Sequence, residues 1–273
     1  MRLCMETGTF QRHPMEKALA EIRRAGYRYV ELNPDLFKPH EATRTDIKRL
    51  KELLDENGLR PAAVLPLYSL ANPDESARLE AVEKWKRSIR ASKELGAEKL
   101  TSEMTGDPKE PGRSRDAFKR SMDALVPLLE EADLTVCFEP HPGDFIESSN
   151  GAVDLIREIG SPQVAYLYCM PHTFYLGDDI RRMIVYAGAT LGHVHVGDTL
   201  RPDRIIQAGA GGRPHNHMIP GWGEVDFEAA FAALKSIGYD GYLSAALFSH
   251  LDEPTNAARE TREKVEEMLS KLG

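Results

Sequence analysis

Eight short strand-like runs alternate with amphipathic helical segments from one end of the chain to the other, and this alternation restricts the fold more than any other feature. The runs are RLCME (2–6), YVEL (29–32), AAVLP (62–66), KLTSEM (99–104), LTVCFE (134–139), VAYLYC (164–169), HVHV (193–196) and GYLSAA (241–246). Several are near-continuous in apolar residues, as parallel strands covered on both faces must be. Between them apolar residues recur at intervals of three and four: Met15, Leu19 and Ile22; Phe118, Met122, Leu125 and Leu129; Phe227, Phe231 and Leu234. Each such segment turns one apolar stripe toward a core. Gly26, Gly58, Gly96, Gly160 and Gly238 stand just past these segments, where helices end in a left-handed residue. Asp226 opens one segment as an N-cap, and Glu80/Lys84 and Glu83/Arg87 are expected to pair on the exposed face of the third helix.

Eight strands and eight helices in alternation predict an α/β chain closed as a (β/α)8 TIM barrel, with residues 1–273 forming one domain. The length of 273 residues suits that architecture, which typically needs ~250. An open doubly wound sheet is the rival, but it wants a glycine-rich phosphate loop after its first strand. METGTFQRH does not supply one, and GAGGR (209–213) comes late and reads as a loop. Residues 199–225 form the longest stretch without a predicted element, a length that in compact domains usually carries function.

A net charge of -8 argues against nucleic acid or an anionic membrane as the main partner. The three cysteines, Cys4, Cys137 and Cys169, are far apart, form no CxxC pair and lie in strand-like runs, which suits reduced thiols. The N-terminal MRLCMETGTF enters the first strand with no apolar stretch of signal-peptide length, and no run approaches ~20 apolar residues. The expectation is a cytoplasmic protein.

Barrel active sites lie at the C-terminal ends of the strands. Those ends carry Glu6, Glu31, Glu103, Glu139 with His141, Cys169 with His172, and His195 with Asp198. A lone strand-end Glu is more often a salt-bridge partner, a lone His a hydrogen-bonded structural residue, and a lone Cys a small buried hydrophobe. Four neighbouring strand ends with metal-ligand residue types shift that balance, because the bland reading must then hold at every one. Glu139, His172, His195 and His217, the last in the loop PHNHMIPGWGEVDF (214–227), are the candidate ligands of one divalent ion. Oxygen and nitrogen donors suit Mn²⁺, Mg²⁺, Co²⁺ or Zn²⁺. His193 and His195 point to the same side of their strand; His195, nearer the mouth, is the ligand candidate, and His193 is read as structural. Glu103 and His141 complete the titratable candidates at the strand ends. Glu31, Tyr68, Arg213, His215 and Trp222 are the candidate substrate contacts.

The segments FEPHPGDF (138–145), HVHVGD (193–198) and PGWGEVDFEAAFAALKSIGYDGYLS (220–244) together resemble the xylose-isomerase-like barrel superfamily of sugar isomerases and epimerases. The resemblance covers almost the whole chain. It implies one metal held by a Glu, an Asp, a His and a second Glu, and Glu139 and His195 match the first and third. The Asp, from a D-x-x-H pattern, falls on Cys169 with His172 retained, and the second Glu falls near Ala246, where there is none. LPLYSLANPDESARLEAVEKWKRSI (65–89), YCMPHTF (168–174) and the His-x-His loop are similar to the branch with myo-inositol-catabolism isomerase/epimerase-like proteins and C-glycoside deglycosidase catalytic subunits. In that branch His172 and a loop histidine, His215 or His217, stand in for the missing ligands.

The activity implied is a divalent-metal-dependent sugar or cyclitol isomerase or epimerase, with Mn²⁺ favoured, that abstracts a proton next to a carbonyl. Without a carboxylate at 246, a symmetric two-base epimerase is disfavoured; one-sided abstraction by Glu103 or His141 remains. The alternatives are a C-glycoside deglycosidase-type lyase on 3-keto-glycosides, acting with a small β-rich partner subunit, and a sugar-binding barrel without catalysis. An abasic-site endonuclease shares the superfamily fold, but an acidic chain lacks the basic face it needs. A homo-oligomer is the family-level expectation.

Overall fold

The computed structural model describes residues 1–207 and 216–272, in which eight parallel strands close into a barrel in sequence order. Arg213, His215 and the GAGGR segment lie outside the described residues. The strands are β1 (Arg2–Glu6), β2 (Tyr29–Leu32), β3 (Arg60–Val64), β4 (Lys99–Glu103), β5 (Thr135–Glu139), β6 (Val164–Cys169), β7 (Leu191–Val196) and β8 (Tyr242–Ala245). Closure comes from β8 pairing with β1, Arg2 opposite Tyr242 and Cys4 opposite Ser244. The outer ring is α1 (Met15–Arg24), α2 (Arg44–Glu56), α3 (Glu75–Leu95), α4 (Pro111–Ala132), α5 (Ser149–Ile159), and, beyond two short helices at the barrel mouth, α7 (Ile180–Ala187), α9 (Phe227–Ser236) and α10 (Pro254–Ser270). The short ones are α6 (Met170–Tyr175), directly after β6, and α8 (Pro202–Gln207), after β7.

The closed parallel barrel is the one expected from the alternation, and its local signals act as their chemistry requires. Leu19 and Ile22 of α1 are fully buried, each removal from water worth about 1.5–3 kcal/mol. The five helix-ending glycines all take positive φ. Asp226 caps α9, its Oδ1 accepting from the Ala229 N–H at 2.9 Å. Glu80 pairs with Lys84 at 2.7 Å, but Glu83 pairs with Lys86 instead of Arg87. The third strand runs 60–64 instead of 62–66: Pro61, which has no N–H to give, sits where the pairing with β2 slips by one residue. The stretch 199–225 is not devoid of structure, since it holds α8, and Met218 pairs antiparallel with Asp198. No helix among the described residues is long and apolar enough to cross a membrane.

Alternation along each strand divides its side chains between two cores. Val30, Leu32, Val136, Phe138, Tyr166, Tyr168, Val194 and Val196 pack outward against the helices. Cys4, Tyr29, Ala62 and Tyr242 meet inside the barrel, and Cys137, Ala165, Leu167 and Cys169 form another interior group. The same parity turns Glu6, Glu31, Glu103, Glu139, His193 and His195 inward.

Candidate metal centre and active site

Strand register sets these inward residues side by side at the mouth. Glu6 is opposite Glu31, Glu103 opposite Glu139, and Cys169 opposite His195. Carboxylates and imidazoles are costly to bury unless they pair or bind something, and most of this group pairs internally.

Glu139 is at the centre. Its Oε2 lies 3.5 Å from His195 Nδ1 and 3.7 Å from His172 Nδ1, and it has no hydrogen bond. All three residues are at least nine-tenths buried. Burial alone would raise the Glu139 pKa, yet His172 and His195 hold it well below the usual carboxylate range. Burial likewise opposes charge on His195, but Glu31, Cys169 and Glu139 together raise its pKa well above normal. Burial wins at His172, whose pKa is lowered despite Glu139.

His195 is gripped from behind. Its Nε2 lies 3.1 and 3.2 Å from the two Glu31 oxygens, His193 Nε2 is 3.0 Å from Glu31 Oε2, and the Thr101 hydroxyl donates to Glu31 Oε1. Glu31 is fully buried; burial would raise its pKa, but His195 and His193 keep it well below normal. The sequence reading set Glu31 among the substrate contacts. The structure places it beneath the site with its oxygens committed to these three side chains, leaving no surface for a solute. With Nε2–H donated to this carboxylate, Nδ1 is the ring nitrogen that faces Glu139 and that a metal ion would take in place of its proton. His193, expected to be structural, is fully buried with its Nε2 on the Glu31 carboxylate, and Glu31, His193 and His195 each offer a ligand atom within 4.8 Å of the others.

His217 comes to the site from the long loop after β7. Its Nδ1 lies 3.1 Å from the Ala246 carbonyl and its Nε2 lies 3.1 Å from His172 Nε2. Its backbone is tied both ways to Ser249. An imidazole thus occupies the end of β8, where the resemblance leaves a carboxylate missing. Asp198 anchors this loop. Fully buried, its carboxylate accepts from the N–H groups of Thr199, Gly221, Gly223 and Val225 at 2.7–3.0 Å. Sequence reasoning set Asp198 among the strand-end residues but missed this role; the signal was the G-x-G in PGWGEV, whose second glycine lets the backbone close on the carboxylate.

A third group borders the first. Glu103, His141 and Asp144 each offer a polar atom within 4.8 Å of the others. The His141 ring packs edge-on to His172 with centroids 4.6 Å apart. Asp144 accepts from the Gly106 N–H at 3.2 Å, clasping the loop after β5 to the loop after β4. Burial, with the charges of Glu139 and Asp144 adding to it and His141 opposing, lifts Glu103 to about 7. Burial also lifts Asp144 to about 6. Unlike Glu139, Glu103 retains partial exposure. Asp144 was not singled out in the sequence, although it stands in the same HPGDF loop as His141.

The remaining candidates spread apart. Tyr68, half-buried in the loop after β3, bonds His40 from the loop after β2. Trp222 is 55% exposed; its indole donates to Glu260 of α10 and its ring stacks edge-on against His250, so it is fixed to the outer ring instead of the strand ends.

The donor set fits a divalent ion. Glu139, Cys169 and His195 each offer a ligand atom within 4.8 Å of the others, and so do Cys169, His172 and His217. Bonds of ~2.0–2.3 Å in a tetrahedral shell put ligand atoms about 3.3–3.8 Å apart, a small contraction from this arrangement.

Comparison with known proteins adds a lineage. The model of a family described as xylose isomerase-like TIM barrel matches residues 19–270. The chain is 23% identical to an inosose isomerase of Bacillus velezensis over 283 residues, covering 97% of each. It is 28% identical to an L-ribulose 3-epimerase of Methylomonas sp. over 247 residues, covering 85% of this chain and 78% of that one. Among solved structures, the IOLI protein with a binding zinc atom superposes with a TM-score of 0.80 at 19% identity, covering 100% of this chain and 99% of that one.

Proposed function

The chain belongs to the xylose isomerase-like TIM-barrel family, and from that premise we propose that it is a divalent-metal-dependent isomerase or epimerase acting on a ketone of a sugar or cyclitol. The observation that carries this reading is the contact between two groups of opposite purpose. Glu139, His172, His195 and His217, linked by contacts of 3.1–3.7 Å and suited to a cation, abut Glu103, a carboxylate opposite Glu139 whose pKa of about 7 suits a proton carrier. Relatives named inosose isomerase and L-ribulose 3-epimerase point to the same substrate class.

In this reading Glu139, His172, His195 and His217 hold the ion. When bound, it supplies a Lewis acid that polarises the substrate carbonyl and so acidifies the neighbouring C–H. Glu103 takes that proton. Its pKa near neutrality leaves a substantial fraction ionised at pH 7, yet it is basic enough to accept. His141, half-buried beside it, contacts substrate hydroxyls or relays the proton onward. Glu31 sets the face of His195 that meets the ion. Tyr68, in the loop after β3, is proposed to contact the polyol, and so are Arg213 and His215, which lie outside the described residues. Ala246 carries no carboxylate, so a proton delivered to the opposite face comes from solvent instead of a second Glu.

That same Ala246 favours one further reading. Elimination from a 3-keto-glycoside needs a single base next to the carbonyl, followed by loss of the aglycone, and one carboxylate suffices for it. The test for both is proton exchange in D₂O, followed by NMR, on protein loaded with Mn²⁺, Co²⁺ or Zn²⁺. The substrates are inososes, ketohexoses and 3-keto-glycosides. Loss of the α-proton signal with formation of an isomer is the expected result; aglycone release marks the lyase. No exchange with any of these substrates overturns the catalytic reading.

A further inference from the structure

Among the described residues Cys169 joins the two candidate ligand groups at the mouth: it stands with Glu139 and His195, and again with His172 and His217, while His195 is shared with a deeper group of Glu31 and His193. It closes β6, pairs in register with His195 and faces inward. As a structural cysteine it would top the apolar stack of Cys137, Leu167 and Ala165 below it. Its other neighbours do not suit that role. Glu139, 4% exposed, turns a buried oxygen without a hydrogen bond into the same space, and the His195 Nδ1 lies 3.5 Å from that oxygen. An apolar plug gains nothing from a buried carboxylate and an imidazole beside it, whereas sulfur, oxygen and nitrogen donors gathered at one point are what a mixed-ligand ion takes. Cys4 and Cys137 are free thiols, as is Cys169, so no disulfide claims the sulfur.

We propose that Cys169 is itself a metal ligand, its thiolate completing a Glu139–Cys169–His195 face to which an imidazole of His172 or His217 is added. The inference rests on the metal-dependent reading above and deepens it. It replaces the Mn²⁺ favoured from the resemblance with a softer ion, Zn²⁺ or Co²⁺. A thiolate discriminates for these over the hard, oxygen-preferring Mn²⁺ and Mg²⁺. Binding exchanges the thiol proton, which leaves to solvent, for the ion.

The experiment is optical and needs no substrate. The full-length protein is stripped of metal, titrated with Co²⁺ and followed from the visible into the near ultraviolet. One equivalent of Co²⁺ should give both the visible ligand-field bands and a thiolate-to-cobalt charge-transfer band. Cys137→Ser should keep that band. Cys169→Ser should lose it while still binding Co²⁺ at least tenfold more weakly. Cys169→Asp should also lack it, and its preference for Zn²⁺ over Mn²⁺ should narrow at least tenfold relative to wild type. Stoichiometric Co²⁺ binding by the wild type without the charge-transfer band overturns the assignment of Cys169 and leaves the metal-dependent reading standing. A band that survives in Cys169→Ser overturns it as well. Failure to bind Co²⁺, Zn²⁺ or Mn²⁺ at all overturns both.

Discussion

Glu31 holds His195 by its Nε2 nitrogen, 3.1 Å from a carboxylate oxygen that no solvent reaches. The pair spans the barrel interior from β2 to β7, and it fixes which ring nitrogen of His195 turns toward Glu139. Carboxylate–imidazole–metal chains of this type set both the tautomer and the orientation of the ligand.

Replacing Glu31 with Gln should therefore act on metal binding although Glu31 is no ligand. The neutral amide holds the Nε2–H less firmly and withdraws the charge that stabilises His195. We expect metal affinity to fall about 10–100-fold and, because one side of a buried ionic cluster is removed, stability to drop by up to about 3–5 kcal/mol. Competition with a chromophoric chelator and a thermal melt measure the two. Unchanged affinity in a folded variant would show that His195 is oriented by something other than Glu31.

Glu103 supplies a prediction with a pH signature. A base works in its ionised form, so turnover should rise with pH through a midpoint near 7, the value to which burial lifts this carboxyl. Glu103→Gln should lower α-proton exchange by about 10²–10⁴-fold, abolish that limb of the profile and leave metal content intact. A profile that still rises through 7 in the variant would move the proton transfer to another group, with His141 the first to examine.

The parts of this site visible in the sequence are those that depend only on strand parity. β1, β2 and β6 span the residues expected of them, and once Cys137 faces inward Glu139 does too, as His195 follows His193. Legibility stops where a side chain's partner lies far along the chain. Glu31 looked like any strand-end carboxylate, and its role depends on His193 and His195, 162 and 164 residues later. Asp198 looked like a site residue because nothing in HVHVGD shows that four backbone N–H groups will fold over it. Pro61 shifted a strand boundary because its missing N–H is tolerated only at a slip in pairing, and such slips leave no hydrophobic pattern. The placement of His217 against Ala246 is a loop conformation, set by hydrogen bonds instead of periodicity.

Glu6 gives a stability prediction separate from catalysis. It is 1% exposed; its Oε1 accepts from Asn33 at 2.5 Å and its Oε2 has no hydrogen bond. Burial, with repulsion from Glu31, lifts its pKa to about 8 from an ordinary 4.5. Between those values the folded chain keeps a proton that the unfolded chain has released. Glu6 thus contributes stability that is fully present below about pH 4.5, declines as pH rises and is gone above about pH 8. The slope is on the order of 1 kcal/mol per pH unit. Glu6→Gln cannot titrate, so urea melts from pH 5 to 9 should show a shallower decline in the variant. Parallel curves would mean that the folded protein accommodates the ionised carboxylate.

The loop that delivers His217 depends on the fit of Gly223 over Asp198. A Cβ added at Gly223 would collide with Asp198 Oδ1 and with the Thr199 carbonyl, one of them backbone that cannot swing away. Gly223→Ala should therefore push the turn off the carboxylate that gathers Thr199, Gly221, Gly223 and Val225. Asp198→Ala removes the acceptor itself and strands those four N–H groups, at about 1–3 kcal/mol for each left buried without a partner. Both changes lie outside the proposed metal shell, yet both should free His217 from the Ala246 carbonyl. Hydrogen exchange followed by mass spectrometry should show faster labelling of residues 216–227 and of the chain after β8, whose Ser249 bonds His217, with β1–β5 unaffected. Metal affinity should fall in step if the His217 imidazole is a ligand. Faster exchange at unchanged affinity would instead assign the shell to Glu139, His172 and His195, with Cys169 beside them.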